Sequence, residues 1–461
     1  MASLYTRLIS GLVFPLQERI KHHSTVSDRK ALEASQWWSP AQIEALQAER
    51  LSRLLKRAAT QVPYYRDLFA RIGFDPMTAH PKADLARLPF LTKAVIRANQ
   101  DALRADDAVG LARFNTGGSS GEPLIFFIGA ERVSRDVAAK WRATRWWDVD
   151  IGDREIVLWG SPIEIGAQDR VRRYRDALMR TRLLPAFEMS EDRLDGFLDD
   201  IRRMKPAMLF GYPSAFSLIA AHASKRGVRL DDVGIRVVFV TSERLYDHQR
   251  HAISEAFGAP VANGYGGRDA GFIAHQCPAG SMHITAEDVV VEIVSPDGRV
   301  LPQGEPGEIV VTHLATGDYP FIRYRTGDIG TLSAERCTCG RNLPVMKEIQ
   351  GRTTDFIVAA DGTIMHGLAL IYVLRDLPGV SAFKIVQEAL DRTTVFIVAG
   401  PELRSDAVEF IRAGLGARLG ASVHIDVQIV DQIPAEKSGK FRYVVSHVSP
   451  EVACAISSQP L

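Results

Sequence analysis

Nine residues, Asn115-Thr116-Gly117-Gly118-Ser119-Ser120-Gly121-Glu122-Pro123, carry the densest chemical signal in the chain. Glycines and hydroxyl residues alternate just ahead of an apolar, strand-like run, Leu124 to Ile128. Such a loop has no side-chain bulk to keep a phosphate away. Its backbone N–H groups can converge on one anion while Thr116, Ser119 and Ser120 add donors. Gly/Ser clusters also make flexible linkers, and composition by itself leaves that second reading open.

The cysteines offer another constellation. Cys277 and His283 lie six apart, Cys337 and Cys339 flank Thr338, and Cys454 stands by itself. Three thiolates and one imidazole form a tetrahedral set suited to structural zinc. Buried free cysteines are the competing reading. Four cysteines in 461 residues argue against a disulfide framework and for a reducing compartment. His248, His251 and His275 show no partner pattern and fit surface or core roles.

Four more patterns follow the glycine loop: Asn263-Gly264-Tyr265-Gly266-Gly267-Arg268-Asp269, Tyr324-Arg325-Thr326-Gly327-Asp328, Gly351-Arg352-Thr353-Thr354-Asp355, and Pro434-Ala435-Glu436-Lys437-Ser438-Gly439-Lys440-Phe441-Arg442. Each is weak alone, since short Gly-Asp or Ser-Gly-Lys strings arise by chance. Their order along the chain is what makes chance a poor account.

Positioning these residues requires several kinds of element. Residues 27–105 read as helical, with Trp37, Trp38, Ile43, Leu46, Leu51, Leu54 and Leu55 near helical spacing and turns at Pro76, Pro81 and Pro89. From 155 to 265 the pattern becomes strand–helix alternation. Strands are expected at Ile156–Trp159, Ala207–Phe210, Val237–Val240 and Val261–Gly264, with helices near 191–204, 214–226 and 246–257. That alternation implies an α/β unit with a largely parallel sheet. Period-2 segments follow at Val289–Val294 and Gly307–His313, with a hairpin turn at Pro296-Asp297-Gly298. A boundary falls at Gly351-Arg352. The fold class is therefore α/β: a large domain, 1–350, with mixed sheets and a β subdomain, followed by a small α+β domain, 351–461.

Composition is that of a globular protein, 46% apolar and 24% charged. A net charge of +1 advertises no nucleic-acid surface, and the Arg170–Arg182 cluster reads as a solvated helix face. Leu8 to Leu16 is apolar but short and interrupted by Gly11 and Pro15, no small-x-small cleavage site follows it, and no later segment approaches the ~18 apolar residues of a membrane span. The first ~20 residues are expected to form a helix on the body or at a surface of a cytoplasmic protein.

Taken together, the motifs resemble the adenylate-forming superfamily of acyl-CoA ligases, from about residue 35 onward. The Asn-Gly-Tyr-Gly segment, Gln276-Cys277, Cys337-Thr338-Cys339-Gly340-Arg341 and Pro63-Tyr64-Tyr65-Arg66 are similar to its phenylacetate–CoA ligase-like branch. They are also similar to the subgroup found with capsule and polysaccharide genes. The resemblance implies ATP, Mg²⁺ and coenzyme A as reactants and cofactors. A carboxylic acid, aromatic acids included, would attack the α-phosphate of ATP to give an acyl-adenylate and pyrophosphate. Coenzyme A, or another thiol or amine acceptor, would then displace AMP.

By the same resemblance, Thr116, Gly117, Gly118, Ser119, Ser120 and Gly121 would hold the β- and γ-phosphates. Leu124 stands where family loops often carry lysine, which shifts the clamp toward the backbone. Tyr265 and Gly266 would flank the adenine. Asp269 aligns with the usual metal-binding glutamate and holds its carboxylate about one methylene, ~1.5 Å, shorter. Asp328 would accept from the ribose hydroxyls, and Arg352 would contact ribose or phosphate. Thr354 occupies the usual hinge position, and Lys440 is the candidate catalytic lysine. The acyl pocket would draw on Trp159-Gly160-Ser161-Pro162, Phe210-Gly211-Tyr212-Pro213 and Thr241-Ser242-Glu243, with Ser242 and Glu243 also counted on the nucleotide side. These are ends of expected strands, where α/β sheets bind ligands. An amide-forming or carrier-loading ligase and a catalytically idle nucleotide-binding relative in polysaccharide assembly are the rival readings. Oligomeric state stays open, a homodimer included.

Overall fold

The computed structural model describes residues 3–78, 80–115, 124–159, 170–186, 189–243, 245–295, 297–349, 356–375, 377–433 and 443–448. Its helical N-terminal region is built by ordinary local rules. In Pro40–Gln61, Ser39 and Gln42 form a reciprocal capping box, Pro40 opens the first turn, and Ile43, Leu51, Leu54, Leu55 and Ala58 bury one face. Pro63–Ile72 follows at once and stops at Gly73, whose φ of 62° is the left-handed conformation glycine tolerates.

Strands in chain order are β1 Ala112–Asn115, β2 Ile125–Ile128, β3 Glu155–Trp159, β4 Thr181–Pro185, β5 Met208–Gly211, β6 Val237–Thr241, β7 Val261–Gly267, β8 Gly271–Gln276, β9 Met282–Ile284, β10 Val289–Val294, β11 Gly307–His313, β12 Tyr324–Leu332 and β13 Val345–Ile349. The C-terminal part adds β14 Phe356–Val358, β15 Ile364–His366, β16 Val380–Ala389, β17 Arg392–Ala399, β18 His424–Ile429 and β19 Val444–Ser446.

Eleven of these form one sheet in the order β10-β11-β12-β13-β9-β8-β7-β6-β5-β3-β4. Strands β4, β3, β5, β6 and β7 are mutually parallel, and every pairing beyond β7 is antiparallel. The expected largely parallel sheet is thus half of the real one, and β7 is the junction. The parallel strands are apolar on both faces because both are covered. Leu209, Val238 and Val240 pack with Phe197, Phe216, Ile253 and Phe257 on one side. Met208, Phe210, Val237 and Phe239 pack with Ala143, Val149 and the neighbouring tryptophans on the other. Backbones approach closely here: a Cβ on Gly211 would stand 2.2 Å from the Leu158 carbonyl oxygen.

Small differences from expectation have local causes. The arginine run is helical over Arg170–Leu178, but Arg180 takes φ 57° and the chain turns into β4, so Arg182 lies on a strand. The segment Tyr324–Asp328, to which the sequence pattern assigns no element, lies on a strand, with Gly327 at φ 79°.

The C-terminal residues fold around their own apolar cluster, which includes Leu370, Leu374, Ile385, Ile397, Ile411 and Leu415. Its sheet order is β18-β17-β16-β19. The helices Leu368–Arg375 and Ala407–Leu419 contribute to that cluster.

A buried ion pair ties the N-terminal helices to the large sheet. Arg142, from helix Ala130–Arg145, donates to Glu287 at 2.7 Å, each only 1% exposed. Ser35 donates to the same carboxylate at 2.6 Å, and Arg142 also reaches the Leu32 carbonyl at 3.2 Å. Asp288 beside it takes Arg50 at 2.7 Å, and burial pushes its pKa up. Removing one member of a buried pair leaves an uncompensated charge at a cost of about 3–5 kcal/mol. Arg142→Ala should therefore lower the urea unfolding midpoint strongly, whereas Arg142→Met/Glu287→Leu should recover much of the loss.

Candidate functional site

Several expected site residues lie outside the described residues: Thr116, Gly117, Gly118, Ser119, Ser120, Gly121, Arg352 and Lys440, with Gly160, Ser161, Pro162, Thr354 and Cys454. The remaining ones meet around the β7 junction. Register pairs Leu158 with Gly211, Gly211 with Val240, and Thr241 with Gly264, so the carboxyl ends of β3, β5 and β6 stand in a row against β7. Trp159 stacks on Tyr212 with centroids 4.7 Å apart and lies 6.1 Å from the Phe210 ring. Ser242 directly follows β6 with φ 72°, a left-handed conformation that costs a non-glycine residue about 1 kcal/mol or more. Glu243 next to it accepts from the Ser214 hydroxyl at the start of helix Pro213–Lys225.

Two cross-sheet hydrogen bonds define the centre. Tyr265 on β7 donates to Asp328 on β12 at 3.0 Å. Tyr324 on β12 donates to Asp269, in the turn after β7, at 2.6 Å. In sheet order β12 is four strands from β7, about 19 Å if flat at ~4.8 Å per strand. Side-chain contact across that span requires the antiparallel half to curl until β12 faces β7. The curl brings both motif carboxylates to one mouth, each partly exposed.

Each carboxylate is held by more than one donor or neighbour. Asp269 also accepts from the Ala270 N–H at 3.0 Å. Thr326 donates to the Ile309 carbonyl at 2.8 Å and accepts from the Asp328 N–H at 3.1 Å, which fixes the turn of the strand at Asp328. Gly266 sits at a register shift between β7 and β8, and a Cβ there would stand 2.3 Å from the Gly271 carbonyl oxygen. A bulge of this sort re-aims the neighbouring side chains. Below the turn, Arg132, 1% exposed, donates to the Arg268 carbonyl at 2.7 Å. Burial raises the pKa of the adjacent Asp136, but Arg132 and His313 outweigh it and hold it below the usual range.

Leu124, expected from the resemblance to replace a lysine, is fully buried in the main core cluster. Nothing in the sequence gives Tyr324 a role; only the curl of the sheet reveals that it positions Asp269. Arg132 was missed altogether, because nothing in its spacing marks a contact 136 residues away.

The four expected metal ligands do come together. The ligand atoms of Cys277, His283, Cys337 and Cys339 all lie within 4.8 Å of one another. Cys277 and Cys337 sulfurs are 3.6 Å apart, and His283 Nε2 is 3.2 Å from the Cys339 sulfur. A tetrahedral site with ~2.3 Å zinc–sulfur bonds has edges of about 3.8 Å, so the donor set fits. Burial lowers the His283 pKa to about 4, leaving a neutral imidazole, and its Nδ1 faces the Leu343 carbonyl at 3.4 Å. Burial also pushes the Cys277 thiol up to about 12, so a thiolate there calls for a cation beside it.

Comparison with known proteins bears on the same parts of the chain. Residues 179–316 match the family described as AMP-binding enzyme, and residues 357–447 match the CapK C-terminal domain. A phenylacetate–coenzyme A ligase of Thermus thermophilus is 27% identical over 440 residues, covering 87% of this chain and 96% of that protein. Protein CapK of Staphylococcus aureus is 24% identical, covering 79% and 81%. The fold is shared with 2-hydroxyisobutyryl-CoA ligase in complex with 2-HIB-AMP and CoA, with TM-score 0.64, 21% identity, and 91% and 92% of the two chains covered. Motif order, junction geometry and these matches point the same way: residues 179–316 match the AMP-binding enzyme family, residues 357–447 match the CapK C-terminal domain, and the chain is similar to phenylacetate–coenzyme A ligases and to CapK.

Proposed function

We propose that the chain is an AMP-forming acid–thiol ligase that activates a carboxylic acid with ATP and transfers the acyl group to coenzyme A. The observation that carries this reading is the pair of crossed bonds, Tyr265 to Asp328 and Tyr324 to Asp269, which brings two motif carboxylates to one mouth. A carboxylate is a poor electrophile. Its oxygen attacks the α-phosphorus, pyrophosphate leaves, and the mixed anhydride then yields its acyl carbon to the thiol sulfur as AMP departs and the thiol proton is lost.

In this scheme Asp328 accepts from the ribose hydroxyls, with Tyr265 and Gly266 beside the adenine. Thr116 to Gly121 cradle the β- and γ-phosphates. Both oxygens of Asp269 already accept from neutral donors yet keep lone pairs, a set that suits Mg²⁺, whose role would be to neutralise the phosphate charge. Lys440 and Arg352 belong to a second body, residues 351–461, taken to rotate on 1–350 at 352–355 between the two half-reactions. The separate C-terminal core supports that division. The aromatic stack of Trp159, Tyr212 and Phe210 at the strand ends supports an aromatic acid. Cys277, His283, Cys337 and Cys339 would hold a structural zinc, with all four positions taken by protein and none left for chemistry. Cysteine usage supports a cytoplasmic setting.

Pyrophosphate release over a panel of carboxylic acids, with and without coenzyme A, tests the reading. Lys440→Ala should lose adenylation at least about 100-fold while still thiolating a supplied acyl-adenylate. Adenylation at the wild-type rate would sink the lysine assignment, and turnover with an amine or carrier thiol only would replace the acceptor. Tyr324→Phe removes a charge-assisted hydrogen bond of about 1.5–3 kcal/mol; the Mg²⁺ concentration for half-maximal rate should rise about tenfold or more. Elemental analysis should find one zinc per chain, lost in Cys337→Ser together with a lowered unfolding temperature. Metal-free protein of undiminished stability would dispose of the site.

A further inference from the structure

Residues 4–20 form one continuous helical segment: Leu4–Leu8 and Phe14–Ile20 are α-helical, joined by a π-helical turn at Ile9–Val13. Its inner face is anchored. Thr6 donates to Asp153 at 2.7 Å, Phe14 meets the Trp141 ring edge-on at 5.2 Å, and Ile9 and Glu18 are buried. The outer face is the anomaly. Leu4, Leu8, Leu12, Leu16 and Ile20, spaced every fourth residue, are 84%, 50%, 60%, 57% and 71% exposed. Four residues of α-helix overshoot a full turn by about 40°, so such a stripe would wind around the helix. The wider π turn between Leu8 and Phe14 offsets part of that drift and keeps the stripe on one side.

The stripe continues onto a second element. Tyr5 donates to the Leu178 carbonyl at 2.8 Å, and the Arg180 guanidinium lies 3.6 Å over the Tyr5 ring. Helix Arg170–Leu178 therefore lies alongside, and its Tyr174 and Leu178 are themselves exposed. Scattered exposed leucines are ordinary; an aligned row on two adjoining helices is a surface awaiting a partner.

Charge selects the partner. Within residues 3–24 the sole acid, Glu18, is buried and tied to Thr25, His23 and Lys21. Arg7 and Arg19 stand on the exposed side, and an open groove at the far end is lined by Arg19, His22, His23, Ser24 and Lys30. The adjoining helix reads Arg-Val-Arg-Arg-Tyr-Arg-Asp-Ala-Leu. An apolar stripe bordered by cations complements a lipid surface with anionic headgroups, where such helices lie flat with the apolar face ~5–10 Å deep. A second copy of the chain would instead set arginines against arginines. No helix among the described residues is long and apolar enough to cross a membrane.

We propose that the outer face of residues 4–20, with the adjoining Tyr174–Leu178, docks the protein peripherally on an anionic membrane surface. The acid-activating site lies in other elements, so this proposal and the ligase reading stand or fall separately. The test is flotation of the full chain with vesicles of phosphatidylcholine alone or with about 30% phosphatidylglycerol. Binding should be at least about tenfold stronger to the anionic vesicles and weaken at high salt. It should be lost in Leu8→Gln/Leu12→Gln/Leu16→Gln and weakened in Arg7→Glu/Arg19→Glu, with pyrophosphate release in solution unchanged. Because these side chains are exposed, unfolding midpoints should hold; were the leucine variant to misfold, the arginine variant carries the test. Equal binding to neutral vesicles, no binding to either, or a concentration-dependent dimer that the leucine variant abolishes without any vesicle binding would each overturn the proposal.

Discussion

An eleven-stranded sheet has to dispose of its twist, and open twisted sheets of that width curl, split or flatten. Here the antiparallel side of β7 curls, as the side-chain contacts between β7 and β12 require. The parallel side is sandwiched between helices and tryptophan-rich packing, which leaves it no freedom to bend. On the other side a core that includes Leu54, Phe69, Phe126, Phe321 and Tyr324 fills the concavity. Site assembly follows from that asymmetry, since Asp328 and Asp269 belong to segments that a flat sheet would hold far apart.

The helical N-terminal region supplies the filling and is bound to the sheet by charge as well as by apolar packing. Arg142 and Glu287 are both almost wholly withdrawn from water, and such pairs are seldom net stabilising against an apolar substitute. What the pair adds is position: Arg142 also meets Leu32, and Glu287 also meets Ser35, so a single register of helix against sheet makes all three hydrogen bonds at once.

Legibility in the sequence followed the covering of each strand. β5 and β6 are buried on both faces and stand out as short apolar runs. β10 and β11 showed equally well. β12 was hidden, because Tyr-Arg-Thr-Gly-Asp-Ile-Gly-Thr-Leu carries the glycine and aspartate of a turn. β8 and β9, short and rich in histidine and glutamine, gave no period. The metal-ligand set was readable because cysteine is scarce in this chain, so three thiols near one histidine stand out. Tyr324 and Arg132 were not, for their partners are reached across the curl, and spacing along a chain says nothing about a sheet's curvature.

The pairing of β9 with β13 rests on just two residue pairs, Val345 with His283 and Met346 with Met282. It is the narrowest seam in the large sheet, and everything from β10 through β13, Asp328 included, hangs on its far side. His283 sits on that seam, with Cys277 just before it and Cys337 and Cys339 just across it. Whatever fastens those four donors acts as a rivet through the seam. Its influence on nucleotide binding would be mechanical, keeping Asp328 opposite Tyr265 from a point that touches neither.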